Sequence, residues 1–358
     1  MENIFYEQAD LFVCPGCGGN LQLSDDSVSC DGCANVYPVA DNGIPLLFVP
    51  TGSNNYDVTE TVQAFYEANP FPNYDDIDNE QALAEKARRG FFARLLDEQL
   101  PEGARVLECG CGTGQLTNFL GSYWNRRVFG SDICRHSLRI ANDFRERSHI
   151  NNAAFLQMNL FRPAFRPGSF DVVVSNGVLH HTADPLGGFK SISRLVRPGG
   201  YIIIGLYNKI GRLTTDLRRA IFRATGDKMR FLDAHMRNTN YNEARKRAWF
   251  MDQYKHPQES KHTYDELLSW LEGNQFEFLS SIPKIEGPFM PDEKLFEQHD
   301  KGTKMSRFLT ELGMLLQGGV DGGLYIMIGR KLTPDGEEME ARSVSANGNG
   351  YKAQRMVG

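Results

Sequence analysis

Hydrophobic residues follow two different patterns along the middle of the chain. From residue 105 onwards, short runs of almost only apolar residues are separated by segments whose apolar residues recur every three or four positions. The runs predict buried strands, and the segments between them predict amphipathic helices. The apolar runs read RVLEC, RVFGSDI, AFLQMNL, FDVVVSNG and YIIIGLY, followed by FEFLSSI at 276–282 and LYIMIGR at 324–330. This alternation predicts an α/β fold, in which helices cover both faces of a parallel sheet.

The same patterns, together with shifts in composition, divide the chain into segments. The predicted segments are a small N-terminal module at 1–50, a linker with a helical lid at 51–100, a main domain at 101–332 and a disordered tail at 333–358. The main domain is predicted to contain helical insertions at about 208–262 and 284–322. The tail is expected to be disordered because it is polar and rich in Gly, Ser and Glu.

The net charge of the whole chain indicates little about its partner molecules, whereas the charges of two of its segments are more informative. The formal net charge is −6, so the chain as a whole is not expected to be drawn to nucleic acid or to an anionic membrane. Residues 1–50 contain seven acidic residues and no Lys, Arg or His, whereas residues 205–262 contain 13 Lys and Arg against 6 Asp and Glu. The basic segment favours an acidic or carrier-bound partner molecule, although a solvated helix face balanced by the acidic module would look the same.

No segment predicts a membrane span or an export signal. The longest apolar runs fall far short of the roughly 20 residues that cross a bilayer. The N-terminal sequence MENIFYEQAD lacks the basic start and the apolar core of a signal peptide. We therefore expect a soluble, cytoplasmic protein without a transmembrane segment.

Four of the seven cysteines form two C-x-x-C pairs near the N-terminus. The pairs read CPGC and CDGC and are separated by 12 residues. Four thiolates at this spacing suit tetrahedral Zn²⁺, and four cysteine ligands leave no open position for catalysis. The interpretation is a zinc-ribbon-like module whose structural ion is held by Cys14, Cys17, Cys30 and Cys33. An iron centre and a degenerate ribbon are the alternatives.

The acidic character of this module restricts its partners. Its seven acidic residues and a dianionic zinc site would be repelled by the phosphates of RNA. We therefore expect the module to pack on the main domain or to contact a protein partner, and we do not expect it to bind nucleic acid.

The first strand of the main domain runs into a glycine-rich bend, and the chain reads ARVLECGCGTGQL at 104–116. A dinucleotide-binding loop would have the pattern G-x-G-x-x-G, but counting from Gly110 the sixth position is Gln115. Glu108 at the end of the strand would repel a pyrophosphate, whereas it suits the ammonium group of an amino acid. S-adenosylmethionine carries such an ammonium group, so the loop favours this cofactor.

The next two strands supply polar side chains at the same edge of the sheet. Asp132 ends the second strand, 24 residues after Glu108, and can accept hydrogen bonds from both hydroxyls of a ribose. An aspartate that only caps the following helix would look identical. Asn159 follows the third strand, where its amide oxygen could accept a hydrogen bond from the amino group of adenine.

Together these motifs resemble the class I S-adenosylmethionine-dependent methyltransferases of the type 11 group. The matching stretches are VLECGCGTG, GSDI, FDVVVSNGVLHHTADP and LVRPGGYIIIG. The resemblance implies a Rossmann-like, seven-stranded sheet that includes a terminal antiparallel strand, here accompanied by the zinc ribbon and the helical insertions.

The resemblance also assigns residues to the cofactor. It implies that Glu108 and Gly110 hold the methionine end, Asp132 the ribose, and Asn159 with Leu160 the adenine, although the family usually has Asp at the position of Asn159. The residues expected to bind the cofactor are Glu108, Gly110, Gly112, Gly114, Asp132, Ile133, Asn159, Leu160, Ser175 and Asn176.

Candidate residues for the methyl acceptor lie in two places. His180 and His181 follow the fourth strand and are candidates for a general base, which is needed only if the acceptor is protonated. The alternative is that the two histidines orient the loop and cap the next helix. Tyr66 and Tyr74 lie beside or within the stretch EANPFPNYDD and are candidates to face the cofactor as part of the lid, with ordinary packing as the alternative.

The sequence therefore predicts an S-adenosylmethionine-dependent methyltransferase that acts on an O, N or C atom of a small organic acceptor. Two other classes stay open. One is a methyltransferase that acts on RNA or protein, and the other is a catalytically silent methyltransferase-like scaffold that activates a partner.

Overall fold

The computed structural model of the protein describes most of the chain. The described residues are 4–51, 58–72, 74, 77–317 and 322–333. The tail predicted at 333–358 lies outside the described residues except for Thr333.

An eight-stranded sheet forms the centre of the molecule, and a three-stranded antiparallel sheet lies in the N-terminal module. The strands are β1 (Leu21–Leu23), β2 (Ser27–Cys30), β3 (Val36–Pro38), β4 (Leu46–Leu47), β5 (Arg105–Cys109), β6 (Arg127–Asp132), β7 (Ala153–Met158), β8 (Phe170–Asn176), β9 (Val196–Tyr207), β10 (Phe276–Ile282) and β11 (Leu324–Lys331). The order in the central sheet is β10-β11-β9-β8-β5-β6-β7-β4. All neighbours in this sheet are parallel except that β11 runs antiparallel to β9 and to β10.

The predicted parallel sheet with its antiparallel strand is confirmed, and it contains one strand more than the seven expected. The additional strand is β4, whose Leu46 and Leu47 pair with Gln157 and Met158 of β7. The end of the segment predicted as the N-terminal module therefore forms the edge of the main sheet. A two-residue strand is too short to show an alternating pattern, so the sequence does not indicate it.

Helices cover both faces of the central sheet. Alternate residues of a buried strand enter separate hydrophobic clusters, for example Val106 one cluster and Leu107 the other. The helices are α1 (Ile4–Glu7), α2 (Thr59–Ala68), α3 (Glu80–Arg89), α4 (Phe91–Gln99), α5 (Gln115–Gly121), α6 (Arg135–Arg147), α7 (Pro185–Ser193), α8 (Leu213–Thr225), α9 (Ala234–Arg237), α10 (Glu243–Phe250), α11 (Tyr264–Gly273) and α12 (Lys304–Leu316). Among the described residues, none of these helices is long and apolar enough to cross a bilayer.

The two insertions are built mainly from helices. The first insertion contains α8, α9 and α10, and a single π-helical turn, Met251–Lys255, follows α10 directly. The second insertion contains α12.

The N-terminal module packs directly on the main domain, as expected. Phe12 lies 4.8 Å from Phe165 and 5.9 Å from Phe129 of β6, measured between ring centroids. The Val13 amide donates a hydrogen bond to the Ala164 carbonyl at 3.0 Å. The module therefore shares one hydrophobic core with the central sheet. Burial of each such aromatic ring contributes about 1.5–3 kcal/mol.

The carboxyl ends of β5 to β9 meet at one edge of the central sheet. The strand order reverses there, because β6 and β7 continue from β5 on one side while β8 and β9 continue on the other. Open α/β sheets bind ligands in the crevice at such a reversal point. The fold therefore places the candidate site at this edge.

Candidate cofactor and acceptor site

A cavity of about 640 Å³ lies at this edge of the sheet. Residues at the carboxyl ends of β5, β6, β8 and β9 form its floor, and α2, α3 and the first insertion contribute its walls. The insertion reaches the cavity through His235, Trp249 and Asp252. Segments from before and after the strands thus close over the strand ends.

The glycine loop after β5 brings bare backbone to the cavity. Gly110 and Gly112 line the cavity and have φ angles of 77° and 52°. A Cβ atom on Gly110 would lie 2.4 Å from Val178, and one on Gly112 would lie 2.3 Å from the Phe71 carbonyl oxygen. Glycine is therefore required at both positions, because other residues neither fit the space nor favour these φ angles.

Gly114, the third glycine of the motif, lies away from the cavity. It precedes α5, and a Cβ atom there would lie 2.6 Å from Phe155 and 2.7 Å from Ala141. It is not among the described residues that line the cavity. The small size of Gly114 therefore serves the close packing of helix on strand, and its contact with the cofactor stays a prediction.

Glu108 lies beneath the glycine loop and lines the cavity. Its Oε2 atom accepts hydrogen bonds from the Thr117 amide, at 3.0 Å, and from the Thr117 hydroxyl. Burial raises the pKa of the Glu108 carboxyl to about 7, although the bonds from Thr117 oppose the rise. A cation in the cavity beside Glu108 would favour the ionised form, because opposite charges at short distance lower the pKa of a carboxyl group.

Asp132 connects the glycine loop with the start of α6. Its Oδ2 atom accepts a hydrogen bond from the Gly112 amide, and its Oδ1 atom accepts one from the Cys134 amide, both at 2.8 Å. Asp132 and the adjacent Ile133 also line the cavity. Burial raises the pKa of Asp132, and the backbone hydrogen bonds oppose this. The aspartate thus both shapes the local backbone and faces the cavity.

Asn159 lines the cavity, and its side-chain amide also makes three hydrogen bonds within the protein. Its Nδ2 atom donates to the Val49 carbonyl at 3.0 Å and to the Thr51 hydroxyl at 3.2 Å, and its Oδ1 atom accepts from the Phe161 amide at 3.0 Å. The side chain therefore fastens the segment that follows β4. An aspartate could not donate these hydrogen bonds, which accounts for the asparagine at this position. Leu160, the next residue, lines the cavity.

Of the two residues expected at the end of β8, Asn176 lines the cavity and Ser175 does not. Ser175 is fully buried, and its hydroxyl has no partner among the described residues. Successive residues of a strand point to opposite faces, which places Ser175 away from the cavity, and its contact with the cofactor stays an untested prediction. Asn176 fits because β9 has Gly205 opposite it, where a Cβ atom would lie 1.8 Å from the Asn176 amide oxygen.

The two histidines after β8 are both buried, and only His181 lines the cavity. The Nδ1 atom of His180 accepts a hydrogen bond from the Tyr207 amide at 3.3 Å. The Nδ1 atom of His181 lies 2.7 Å from the Gln258 carbonyl oxygen, and its ring centroid lies 3.6 Å from that of His256. Burial lowers the pKa of His181 to about 3 and that of His180 well below its ordinary value. Both rings are therefore neutral near pH 7.

The histidines do not cap the next helix. That role belongs to Asp184, whose carboxylate accepts a hydrogen bond from the Gly187 amide at 2.8 Å. The His180 carbonyl instead accepts from the Ser260 amide at 2.7 Å, which holds the loop against the end of the first insertion.

The two candidate lid tyrosines lie in different places. Tyr66 lines the cavity, and its hydroxyl donates to the Asp252 carboxylate at 3.1 Å. Tyr74 lies on Phe144, with 4.5 Å between ring centroids, and its hydroxyl accepts a hydrogen bond from Asn118 at 3.2 Å. Tyr74 is therefore a packing residue outside the cavity, which corrects the prediction that it faces the cofactor.

Several residues that line the cavity are not predicted from the sequence. Lys86 lines the cavity from α3, and Asp252 and Gln253 line it from the π-helical turn. His235 and Trp249 stack with 3.8 Å between ring centroids and also line it. Charged residues in amphipathic helices carry no local signal that tells a ligand contact from a solvated face. Only the tertiary fold brings these side chains to the strand ends.

The four cysteines of the N-terminal module form one cluster. Their Sγ atoms all lie within 4.8 Å of one another. The Sγ atoms of Cys14 and Cys33 are 3.6 Å apart, and those of Cys17 and Cys30 are 3.5 Å apart. A tetrahedral zinc site with Zn–S bonds of about 2.3 Å places its sulfur atoms roughly 3.8 Å apart, so this donor set fits the ion.

Comparison with known proteins finds relatives of the segment that forms the floor of the cavity. Residues 107–204 match the methyltransferase domain family. The chain is 27% identical over 255 residues to an uncharacterised protein of Synechococcus sp., with 62% of this chain and 60% of that protein covered. It is 31% identical over 108 residues to the ubiquinone biosynthesis O-methyltransferase of Albidiferax ferrireducens, with 30% and 42% covered. Among solved structures, PKMT2 from Rickettsia typhi in complex with AdoHcy is 16% identical, with a TM-score of 0.46 and 67% of this chain and 52% of that chain covered.

The chain thus spans 60% and 42% of the lengths of these two curated relatives. The residues that match the domain family run from β5 to β9 and include the glycine loop and the strand ends that form the floor of the cavity. Residues 107–204 are therefore similar to the methyltransferase domain family, and the sheet that contains them has the class I methyltransferase fold.

Proposed function

We propose that the protein is an S-adenosylmethionine-dependent methyltransferase that methylates an O, N or C atom of a small organic acceptor. One observation carries the proposal: a single cavity at the strand ends combines the glycine loop and two acidic side chains with a further region walled by the first insertion. The methyltransferase domain at 107–204 supports the class of reaction.

The cofactor is assigned to the part of the cavity beside the glycine loop. Glu108 pairs with its ammonium group, and Gly110 and Gly112 let its methionine portion approach the backbone. Asp132 accepts hydrogen bonds from the ribose hydroxyls. Lys86 is the cation on the neighbouring wall that pairs with the methionine carboxylate.

The adenine is assigned to the side of the cavity lined by Ile133 and Leu160. Asn159 positions this side through its bonds to Val49 and Thr51 rather than through a hydrogen bond from its side chain to adenine. Asn176, at the end of β8, lies towards the acceptor region.

A small acceptor is supported by the side chains that surround the far end of the cavity. The region beyond the cofactor is lined by Tyr66, His181, Trp249 and Asp252, which come from separate parts of the chain and cover the strand ends. The match to a ubiquinone biosynthesis O-methyltransferase also favours a small acceptor.

An acidic acceptor is not supported by the cavity wall. Among the described residues, Lys86 is the only Lys or Arg that lines the cavity. Arg212 and Arg219 of the basic insertion pair with Glu259, at 2.7 Å and 2.8 Å. The insertion contributes the Asp252 carboxylate to the wall instead. A neutral or positively charged acceptor therefore suits the cavity better than an acidic one.

Calorimetry with S-adenosylhomocysteine tests the cofactor assignment. The wild-type protein should bind it, and Glu108→Gln should weaken binding by about tenfold or more, the usual scale for a charged hydrogen bond. Glu98→Gln, which changes an exposed glutamate of α4, is the matched control and should leave the affinity unchanged. Equal affinities of the wild type and Glu108→Gln would contradict the role of Glu108.

Labelled S-adenosylmethionine tests the acceptor class. The purified protein is incubated with the labelled cofactor and cell extract, which is then divided into small molecules, RNA and protein. Label in the small-molecule fraction supports the proposal, whereas label confined to RNA or protein contradicts the acceptor class. Cofactor binding without transfer to any fraction would indicate a silent scaffold.

We also propose that Cys14, Cys17, Cys30 and Cys33 hold one structural zinc ion. The N-terminal module is too small to bury a sufficient core of its own, so the ion would stabilise its fold. Mass spectrometry under native conditions should find one zinc per chain, and Cys14→Ser should lose it. Iron in place of zinc would contradict the assignment.

A protein partner of the acidic module stays a prediction. The aromatic face of the module is covered by the main domain, while Asp25, Asp26 and Asp31 are exposed. The surface left for a partner is therefore acidic, which favours a basic protein surface and disfavours nucleic acid.

A further inference from the structure

A buried carboxylate lines the part of the cavity that the proposed function assigns to the acceptor. Asp252 lines the cavity from the π-helical turn Met251–Lys255 and is only 5% exposed. π-helical turns are rare and occur frequently at functional sites. A buried carboxylate is costly unless partners compensate its charge, so its hydrogen bonds show whether Asp252 is a structural or a functional residue.

The described hydrogen-bond partners of Asp252 are neutral side chains. Its Oδ1 atom accepts from the Tyr66 hydroxyl at 3.1 Å, and its Oδ2 atom accepts from the Gln253 amide at 2.9 Å. The cation nearby, Arg212, makes its ion pair with Glu259 through two hydrogen bonds of 2.7 Å and 3.2 Å. The negative charge of Asp252 is therefore not neutralised by a direct ion pair among the described residues.

The neighbours of Asp252 hold it in place. Gln253 also donates to the Tyr207 hydroxyl at 2.8 Å and accepts from Arg212 at 2.5 Å, so its amide orientation is fixed. Arg212 is completely buried and lies over the Tyr207 ring, with 3.6 Å between the guanidinium carbon and the ring centroid. The carboxylate is thus preorganised on a rigid network rather than on a flexible loop.

Tyr66 connects this carboxylate with the cofactor region. Burial raises the pKa of Tyr66 well above its ordinary value, and the nearby Asp252 and Asp132 carboxylates raise it further. Tyr66 therefore stays protonated, and its hydroxyl donates a hydrogen bond to Asp252. The charges of Asp252 and of Asp132, the residue assigned to the ribose, both act on Tyr66, so Tyr66 lies near both carboxylates.

The acceptor end offers hydrogen-bond acceptors. The Nδ1 atom of His181 lies 2.7 Å from a carbonyl oxygen and so carries the proton of the neutral ring, which leaves Nε2 as an acceptor. The Asp252 oxygens each keep a further lone pair beyond the bonds from Tyr66 and Gln253. A molecule that satisfies these groups must present O–H or N–H bonds.

We propose that Asp252 is the catalytic residue that receives the proton of the methyl acceptor, and that the acceptor reacts through a hydroxyl or amine group that carries a removable proton. The inference rests on the proposed methyltransferase function. In this step the O–H or N–H proton moves to the Asp252 carboxylate, and the lone pair of the acceptor atom forms the new bond to the methyl carbon. The bond between this carbon and sulfur breaks, and its electron pair stays on sulfur.

Asp252 suits this role better than His181, the candidate that the sequence suggests. Burial lowers the pKa of His181 to about 3, so its neutral ring is a weak base. Burial raises the pKa of Asp252 above its ordinary value, which makes the carboxylate a stronger base than an exposed one. His181 then orients the acceptor, while Asp252 takes the proton.

Two cofactor analogues test the position of Asp252 without knowledge of the acceptor. Sinefungin carries an ammonium-bearing carbon in place of the methyl-bearing sulfur, whereas S-adenosylhomocysteine has no group at this place. Asp252→Asn should weaken the binding of sinefungin by at least about tenfold and change the binding of S-adenosylhomocysteine by less than about twofold, because only the first ligand places a charge at the acceptor end. Both affinities are measured by calorimetry.

A second buried carboxylate provides the control. Glu311 accepts hydrogen bonds from the Asn208 amide and the Tyr264 backbone and is not among the described residues that line the cavity. Glu311→Gln should leave the ratio of the two affinities unchanged. An equal loss of both ligands in Asp252→Asn, or no loss of either, would overturn the proposal, whereas a wild-type protein that binds neither ligand would refute the proposed function itself.

A crystal structure of the wild-type protein with sinefungin gives a second measurement that does not depend on the stability of a variant. The ammonium nitrogen of the ligand should lie within hydrogen-bond distance of the Asp252 carboxylate or of a water molecule bound to it. An ammonium group that faces another part of the cavity would contradict the proposal.

Discussion

Glu108 shows how burial can prepare a carboxylate for a cationic ligand. One of its oxygens is held by Thr117, and desolvation raises its pKa to about 7. A carboxyl group with such a pKa is mostly protonated at pH 6 and mostly ionised at pH 8. In the proposed function only the ionised form pairs with the ammonium group of the cofactor, so ligand binding and loss of the proton are linked.

We expect the affinity for S-adenosylhomocysteine to rise by about tenfold between pH 6 and pH 8. Because the pKa of Glu108 is raised in the free protein, its proton must leave before the ligand binds, and the affinity falls as the pH drops through 7. Calorimetry at several pH values measures this dependence. Glu108→Gln should bind weakly at all of them, and an equally steep dependence in this variant would assign the titration to another group.

At the scale of single residues, the sequence predicts the contacts that local backbone geometry dictates. Glu108, Gly110 and Gly112 follow from a motif in which strand, loop and helix are contiguous. Asn159 and Asp252 do not, because their partners are distant in the chain: Asn159 binds Val49, 110 residues away, and Asp252 binds Tyr66, 186 residues away. No local pattern specifies such pairs.

At the scale of elements, the glycine loop is tied to the segment that follows α2. The Thr113 hydroxyl donates to the Pro72 carbonyl, and Gly112 leaves room for the Phe71 carbonyl. Since α2 also contributes Tyr66 to the acceptor side, the loop helps to set the position of the lid over the cavity.

Gly112→Ala should therefore disturb the site beyond its cost in backbone strain. We expect about 1–2 kcal/mol of lost unfolding free energy from the left-handed φ angle alone, and in addition a several-fold loss of affinity for S-adenosylhomocysteine because the new methyl group displaces the Phe71 carbonyl. Urea unfolding and calorimetry measure the two effects.

Gly103→Ala is the matched control for this variant. Gly103 has a φ angle of 73°, and a Cβ atom there would meet nothing within 4 Å. Gly103→Ala should therefore lose unfolding free energy through backbone strain but keep the wild-type affinity for S-adenosylhomocysteine. Similar ligand affinities for the two variants would show that the loop does not control the lid.

Elements differ in how far the sequence predicts them. The strands β5 to β9 are predicted because each is a run of buried residues followed by a helical pattern. The two-residue strand β4 and the π-helical turn at Met251–Lys255 are too short to produce a repeating pattern of hydrophobic residues. Both are formed by tertiary contacts, one at the sheet edge and one at the cavity.

At the scale of the whole molecule, a path of contacts connects the cysteine cluster with the cofactor site. The N-terminal module shares the core of the main domain, and β4 at its end pairs with β7. Val49 and Thr51, which follow β4, accept hydrogen bonds from Asn159. Leu160, the residue after Asn159, lines the cavity. Loss of the proposed metal ion should therefore change the positions of residues that line the cavity.

We expect Cys14→Ser, which removes one of the four proposed zinc ligands, to lower the midpoint of thermal unfolding and to weaken the binding of S-adenosylhomocysteine several-fold. The physical reason is that a small module without its metal loosens, so that β4 and the segment after it no longer hold Asn159 in place. Thermal unfolding and calorimetry measure the two effects. Asp31→Asn, an exposed change in the same module, is the control and should alter neither.

Asn159→Ala tests the cavity end of this path of contacts without changing the cysteine cluster. It removes the hydrogen bonds to Val49 and Thr51 without touching the cysteines, so the protein should keep its zinc and still lose affinity for S-adenosylhomocysteine to a similar extent. If Cys14→Ser lowers the thermal midpoint while its affinity stays at the wild-type value, the module stabilises the fold without acting on the site. A loss of affinity in both variants, with zinc retained only in Asn159→Ala, is the result expected if the edge strand connects the module with the cavity.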